Sequence, residues 1–145
     1  MNEEERNAKA FAFKLLAKRA YTRKEIMRKL RHKNFSEDVS LKVLENLEEC
    51  GLINDKFYAV CFAQTHQEWG IRRILLELHK RGISEEDIEE VKKTFVEEEF
   101  AKCLKLVSQW RGYLSREQIR SRLIRRGFTS SAIRRALDMT CEDAC

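Results

Sequence analysis

Apolar positions recur along the whole chain with a helical period, and no stretch alternates residue by residue as a half-buried strand would. In residues 4–19 the stripe is Ala8, Phe11, Ala12, Leu15 and Leu16, and in residues 36–50 it is Val39, Val43, Leu44 and Leu47, ending at Gly51. Residues 54–69 open with an Asn54-Asp55 cap and carry Phe57, Tyr58, Cys61, Phe62 and Thr65. Residues 129–140 carry Ala132, Ile133, Ala136 and Leu137. Between these stripes one phrase is written three times. It reads Thr22-x-x-x-Ile26-x-x-x-Leu30-x-x-x-Asn34-Phe35-Ser36, then Gly70-x-x-x-Ile74-x-x-x-Leu78-x-x-x-Gly82-Ile83-Ser84, then Ser115-x-x-x-Ile119-x-x-x-Leu123-x-x-x-Gly127-Phe128-Thr129.

The phrase has a physical grammar. Each Ile/Leu pair lies four apart and so faces one side of a helix. Asn34, Gly82 and Gly127 are residue types that tolerate the left-handed conformation closing a helix, and the apolar residue after each can clasp the last turn. Ser36, Ser84 and Thr129 then supply an N-cap hydroxyl for a following helix. Thr22-x-x-Glu25 and Ser115-x-x-Gln118 predict capping boxes. The isoleucines are 48 and 45 residues apart, a period that predicts stacked helical units and not one shared globule. Ile88 to Trp110 holds no strong helix breaker, and a break near Thr94–Glu98 would complete three three-helix repeats. The expected division is 1–52, 53–96 and 97–140, with 141–145 as a C-terminal tail. The predicted class is all-α, an elongated row of three tandem three-helix repeats.

Composition changes this picture only modestly. No run approaches the 18 or more apolar residues of a membrane span and no signal peptide opens the chain, so a cytoplasmic location without membrane contact is expected. Five cysteines (Cys50, Cys61, Cys103, Cys141 and Cys145) without a Cys-x-x-Cys fit buried or idle thiols in a reducing compartment. The net charge of +5 divides unevenly: +3 over residues 1–53, −4 over 54–99 and +6 over 100–145. Two basic ends suit separated contacts with nucleic acid or with a protein assembled on it. Lys and Arg are also plain solubilising helix formers.

Helical phase narrows the candidates. With Ile74 and Leu78 turned inward, Arg72, Arg73, Leu76 and Lys80 lie on the outer half of their helix. Leu76 reads either as cover for a neighbouring helix or as an apolar anchor with a basic rim. Lys24, Arg28 and Arg31 form an outward ladder in the first copy. Arg122 and Arg125 flank the stripe of the third copy on one side and Arg120 on the other, while Arg126 lies close enough to run along it. Arg73 has Glu77 four residues on and could pair with it. His32, His66 and His79 lack metal-ligand spacing and read as surface histidines in helices. Glu85, Glu86, Glu89 and Glu90 sit at a helix start, where negative charge is favourable. No phosphate loop or nucleophile elbow appears. No catalytic residue, metal or cofactor is expected, and the chain reads as a non-enzyme.

Several phrases resemble the RecX family of bacterial regulators of the RecA recombinase. They are Leu16-Ala-Lys-Arg19 with Arg23-Lys-Glu-Ile26-x-x-Lys-Leu30, then Leu44-x-x-Leu47-x-x-x-Gly51-Leu-Ile-Asn-Asp55-x-x-Tyr58-Ala59-x-x-Phe62, then Gly70-Ile-Arg-Arg-Ile74-x-x-Glu77-Leu78-x-x-Arg-Gly82-Ile83. The resemblance spans residues 8–137. It departs at Asn34, where the family often has glycine, and is weakest in the third unit. It implies a curved row of three units that binds the RecA filament along its groove and inhibits ATP hydrolysis, strand exchange and the co-protease activity behind the SOS response, as a monomer. Arg72 and Arg73 are then the first partner-binding candidates, extended by Lys80 and Arg81, with Arg122, Arg125, Arg126 and Arg134 a weaker set. Tyr58 and Phe62 match the family phrase but read as core.

A rival from another class is a helix-turn-helix-like nucleic-acid-binding module. Ser36-Glu-Asp and Ser84-Glu-Glu-Asp would turn carboxylates toward phosphate, so only Thr129-Ser-Ser-Ala-Ile-Arg-Arg135 suits it. Weak, sequence-independent contact with single- or double-stranded DNA stays open, as does a purely structural helical adaptor.

Overall fold

In the computed structural model the backbone is described for residues 2–144 and the side chains for residues 2–139. Eight helices follow one another there: α1 (Glu3–Leu16), α2 (Arg23–His32), α3 (Glu37–Glu49), α4 (Asp55–Thr65), α5 (Ile71–Lys80), α6 (Glu85–Trp110), α7 (Arg116–Arg125) and α8 (Ser130–Ala144). The fold is an all-α repeat array, with no strand among the described residues.

The helices start and stop where the sequence signals say. Both capping boxes form, at Thr22 with Glu25 and at Ser115 with Gln118. Ser36 and Ser84 accept from the third backbone N–H of α3 and α6, and the Thr129 hydroxyl accepts from Ala132 N–H. The three repeated turns close alike. Phe35, Ile83 and Phe128 N–H donate to the carbonyls of Leu30, Leu78 and Leu123 at 3.1–3.2 Å, with Asn34, Gly82 and Gly127 at positive φ. That is the Schellman closure, and it folds the following apolar side chain onto the last turn.

Three apolar cores lie in chain order. The first joins α1, α2 and α3 around Ala12, Ile26, Leu30, Leu44 and Leu47. The second joins α4, α5 and the first half of α6 around Ala59, Ile74, Leu78 and Val91. The third joins the second half of α6 with α7 and α8 around Cys103, Val107, Leu123 and Ala136. The second helix of each of the first two units starts against the closing turn of the next unit. Thr22 Oγ1–H donates to Arg81 O at 2.7 Å, and the equivalent Gly70 N–H donates to Arg126 O at 2.8 Å. A hydroxyl and a backbone N–H at two helix N-termini thereby meet orphan carbonyls at helix C-termini.

Three expectations need correction. The chain does not break near Thr94–Glu98: α6 is one helix of 26 residues, so the 96/97 boundary falls inside it. The reason is a continuous buried stripe (Ile88, Val91, Phe95, Glu99, Cys103, Leu106 and Val107) with no breaker, while the Thr94 hydroxyl bonds back to Glu90 O. In α4 the buried positions are Ala59 and Ala63, whereas Phe57 is 66% exposed. Small residues there let α4 lie close on α6, and the aromatics are displaced to the edges. Residues 141–144 extend α8 and are not a separate tail. The side chains of Cys141 and Cys145 lie outside the described residues. Of the others, Cys50 is exposed, Cys61 half-buried, and burial pushes the Cys103 thiol up to about 12.

Candidate protein-interaction surface

The candidate surface is the outer side of α5 together with the seam between α5 and the turn that closes α7. Gly70 precedes α5 and offers no side-chain cap. The missing cap is supplied from outside: Glu99, buried at 3% exposure on α6, accepts from Ile71 N–H at 3.0 Å. The same carboxylate accepts from Thr129 N–H at 3.3 Å and from the Thr129 hydroxyl at 3.1 Å, so it caps the start of α8 as well. One turn on, Lys102 donates to Trp69 O at 2.6 Å and His66 O at 3.3 Å, and its burial lowers its pKa. Arg72 N–H donates to Gly127 O at 3.0 Å. The seam between the second and third cores is therefore closed by main-chain bonds and one buried carboxylate.

The outer side of α5 sorts the predicted residues. Arg72 is exposed, and its guanidinium has no ion-pair partner among the described residues. Leu76 is 54% exposed, which leaves an apolar side chain one turn from that cation. Arg73 does not pair with Glu77. Its guanidinium lies 4.0 Å over the Trp69 ring, while Glu77 holds Arg81 at 2.9 Å and Lys80 at 3.5 Å. Those partners hold the Glu77 carboxyl below the usual carboxylate range, the Arg81 hydrogen bond contributing most. Arg81 is half-buried and also 4.7 Å over Phe62. It belongs to the packing of the second unit, and so does not extend an open patch.

The other units show the same division. Arg28 is exposed without an ion-pair partner among the described residues, and Arg31 is bound to Glu37 at 2.7 Å. The Lys24 stem lies against Gly82, where an added Cβ would overlap it. Arg122 and Arg126 lie 5.5 and 4.8 Å over Trp110, Arg126 also reaching Glu68 at 3.8 Å. Arg120 and Arg125 are exposed. Tyr58 and Phe62 pack against the second core from its rim.

Sequence reasoning missed two groups. Glu99 was legible in principle, because it interrupts the apolar stripe of α6 at a core position. His66 is not a surface helical histidine. It ends α4 in a non-helical conformation, stacks on Trp69 at 4.1 Å and meets the Phe62 ring at a tilt, 4.2 Å away. Burial lowers its pKa from 6.5, with Arg81, Arg73 and Lys102 repelling the charged form and Glu77 favouring it. The unfolded chain thus takes up the proton first, and stability falls as pH drops below about 6.5. Thermal unfolding followed from pH ~7.5 to ~5.5 should show that decline, and His66→Gln should flatten it.

Among the described residues no cluster of His, Cys, Asp and Glu could hold a metal ion, and no helix is long and apolar enough to cross a membrane.

Comparison with known proteins matches residues 8–47 to the model of the first three-helix domain of RecX and residues 54–91 to that of the second. A "Regulatory protein RecX" of Chlorobium phaeobacteroides (strain BS1) is 33% identical, covering 93% of this chain and 94% of the relative. One of Caldanaerobacter subterraneus subsp. tengcongensis is 30% identical over 94% of this chain and 72% of its own length. The fold is similar to a crystal structure of RecX from Lactobacillus salivarius, with TM-score 0.83 at 24% identity over 96% of this chain and 97% of that one.

Proposed function

This chain belongs to the RecX family of regulatory proteins, and from that premise we propose that it lies along the groove of RecA filaments on single-stranded DNA. There it inhibits ATP hydrolysis, strand exchange and co-protease activity, acting in the cytoplasm as a monomer that binds and does not catalyse. We keep the division into units at 1–52, 53–96 and 97–140 as the functional description, with α6 as a strut common to the last two.

The observation that most supports this reading is the row of three separate cores, each turning cations outward. Modest contacts repeated along a polymer add through effective concentration, so no single deep pocket is needed. Arg72, Leu76 and Arg28 are the contacts we favour, because all three are exposed and the two arginines have no ion-pair partner among the described residues. A base-reading helix-turn-helix is disfavoured, since α3 and α6 open on Glu37-Asp38 and Glu85-Glu86-Asp87.

The test is DNA-dependent ATP hydrolysis by the cognate recombinase. Substoichiometric chain should inhibit it. Arg72→Glu combined with Leu76→Ala should raise the half-inhibitory concentration by about tenfold, with helical content unchanged by circular dichroism. Unchanged potency of that double variant would remove α5 from the contact surface.

A further inference from the structure

The two joints between units are built differently. Between the second and third units α6 runs through both cores, and it carries no proline or glycine at which to kink. Across that seam Gly70 and Arg72 N–H donate to Arg126 O and Gly127 O, and Ile71 N–H donates to buried Glu99. Lys102 reaches back to Trp69 O, and Arg126 lies 3.8 Å from Glu68. Moving these two units apart would mean bending a helix and breaking those bonds together.

Between the first and second units no helix is shared. α3 ends at Glu49 and α4 starts at Asp55, and the helices that pack along their lengths do so within a unit. Among the described residues two hydrogen bonds cross this joint: Thr22 Oγ1–H to Arg81 O at 2.7 Å, and Arg23 N–H to Asp55 Oδ1 at 2.9 Å. No ion pair crosses it among those residues, and the Arg23 guanidinium turns back to Glu48 of its own unit. The Lys24 stem against Gly82 is a flexible contact. Leu52 and Phe57, the apolar side chains flanking the link, are 45% and 66% exposed and belong to neither core. For a contact this small and polar, relative motion is the physical default.

The pivot can be placed. Ile53 is buried in the first core, and its N–H and that of Leu52 donate to Leu47 O. Asn54 belongs to the second unit, its Oδ1 accepting from Phe57 N–H as the cap of α4. Rotation therefore concentrates in the backbone where Ile53 meets Asn54, as hinges use a few residues at element ends. The next residue, Asp55, accepts from Arg23 N–H, an orphan donor in the first turn of α2. Burial holds the Asp55 carboxyl above its usual range. Glu48 and Asp87 act in the same direction, while the bond to Arg23 and its charge oppose them. An uncharged acceptor can thus hold the same donor.

We propose that Ile53–Asn54 is a hinge on which the first unit swings as an arm against a rigid block of the second and third, and that the bond between Asp55 and Arg23 N–H latches it. Such an arm lets Arg28 on α2 seat after Arg72 on α5 has engaged. That use rests on the filament reading above, whereas the hinge belongs to the free chain and is tested there.

The experiment is double electron–electron resonance between nitroxide labels on the full chain, without recombinase. The background is C50S/C61S/C141S/C145S, keeping buried Cys103, whose thiol is pushed up to about 12. Labels at E45C and K93C span the joint, and labels at K93C and R120C span the seam; all three positions are exposed. The first pair should give a distance distribution about twice as wide as the second, or wider. Asp55→Ala should widen the first about 1.5-fold more and leave the second unchanged, while Asp55→Asn, which keeps an acceptor, should stay near the parent. Circular dichroism and urea unfolding verify each fold. Equal widths for the two pairs would overturn the hinge, and an Asp55→Ala width equal to the parent's would overturn the latch. Either result leaves inhibition of the filament to stand or fall by its own assay.

Discussion

Glu99→Ala should lower the unfolding free energy by about 3 kcal/mol, as measured by urea denaturation. The carboxylate is 3% exposed and accepts from Ile71 N–H, Thr129 N–H and the Thr129 hydroxyl. Deleting it leaves three donors unpaired at a seam that water enters poorly, and a buried unsatisfied donor costs about 1–3 kcal/mol. Relief from holding a charge out of water offsets part of that sum. Glu99→Gln retains shape and one acceptor oxygen, and should lose about half as much. Hydrogen exchange gives the local readout: protection should fall first at Ile71 and Thr129, at the starts of α5 and α8. Stability within about 0.5 kcal/mol of the parent would show that these donors find other partners.

Gly127→Ala should cost about 3–4 kcal/mol, far more than the same change at Gly51. Both glycines sit at positive φ, +90° and +77°. Left-handed backbone alone accounts for about 1–2 kcal/mol on gaining a Cβ. At Gly51 nothing lies within 4 Å of that Cβ, so strain is the whole effect. At Gly127 the new atom would overlap the Cβ and backbone of Arg73, which no rotamer change can move. Relief requires α5 to slide away from the α7 turn, and that breaks the bonds from Gly70 to Arg126 and from Arg72 to Gly127. Equal melting temperatures for the two variants would mean that the seam opens at little cost. The contrast also accounts for Asn34. Its φ is +67°, it is exposed, and so its Cβ meets only the strain that asparagine tolerates well.

The candidate surface was only half legible. Phase along α5 places Arg72 and Leu76 outward, as they are found, because direction around a helix follows from spacing alone. The fate of Arg73, Lys80 and Arg81 did not follow. Several partners were within reach of each, and Glu77 took Arg81 and Lys80 while Trp69 took Arg73. Spacing lists the pairs that could form, and competition among them is decided by neighbouring units. His66 was misread for the same reason, since its stacking partner Trp69 lies beyond the helix end.

What the sequence alone determined about this protein is everything local. Helix starts and stops, the three Schellman turns, the inward Ile/Leu pairs and the threefold period all arise from interactions spanning a few residues. Those interactions have the same outcome in any context that permits a helix. Tertiary structure alone decided that α6 runs unbroken through two cores, that a buried carboxylate caps two helices at once, and which glycines are required by a neighbour. These depend on groups about 30 residues or more apart in the chain, such as Ile71 and Thr129 around Glu99. Their free energies come from desolvation and close packing, which exist only once the units are docked.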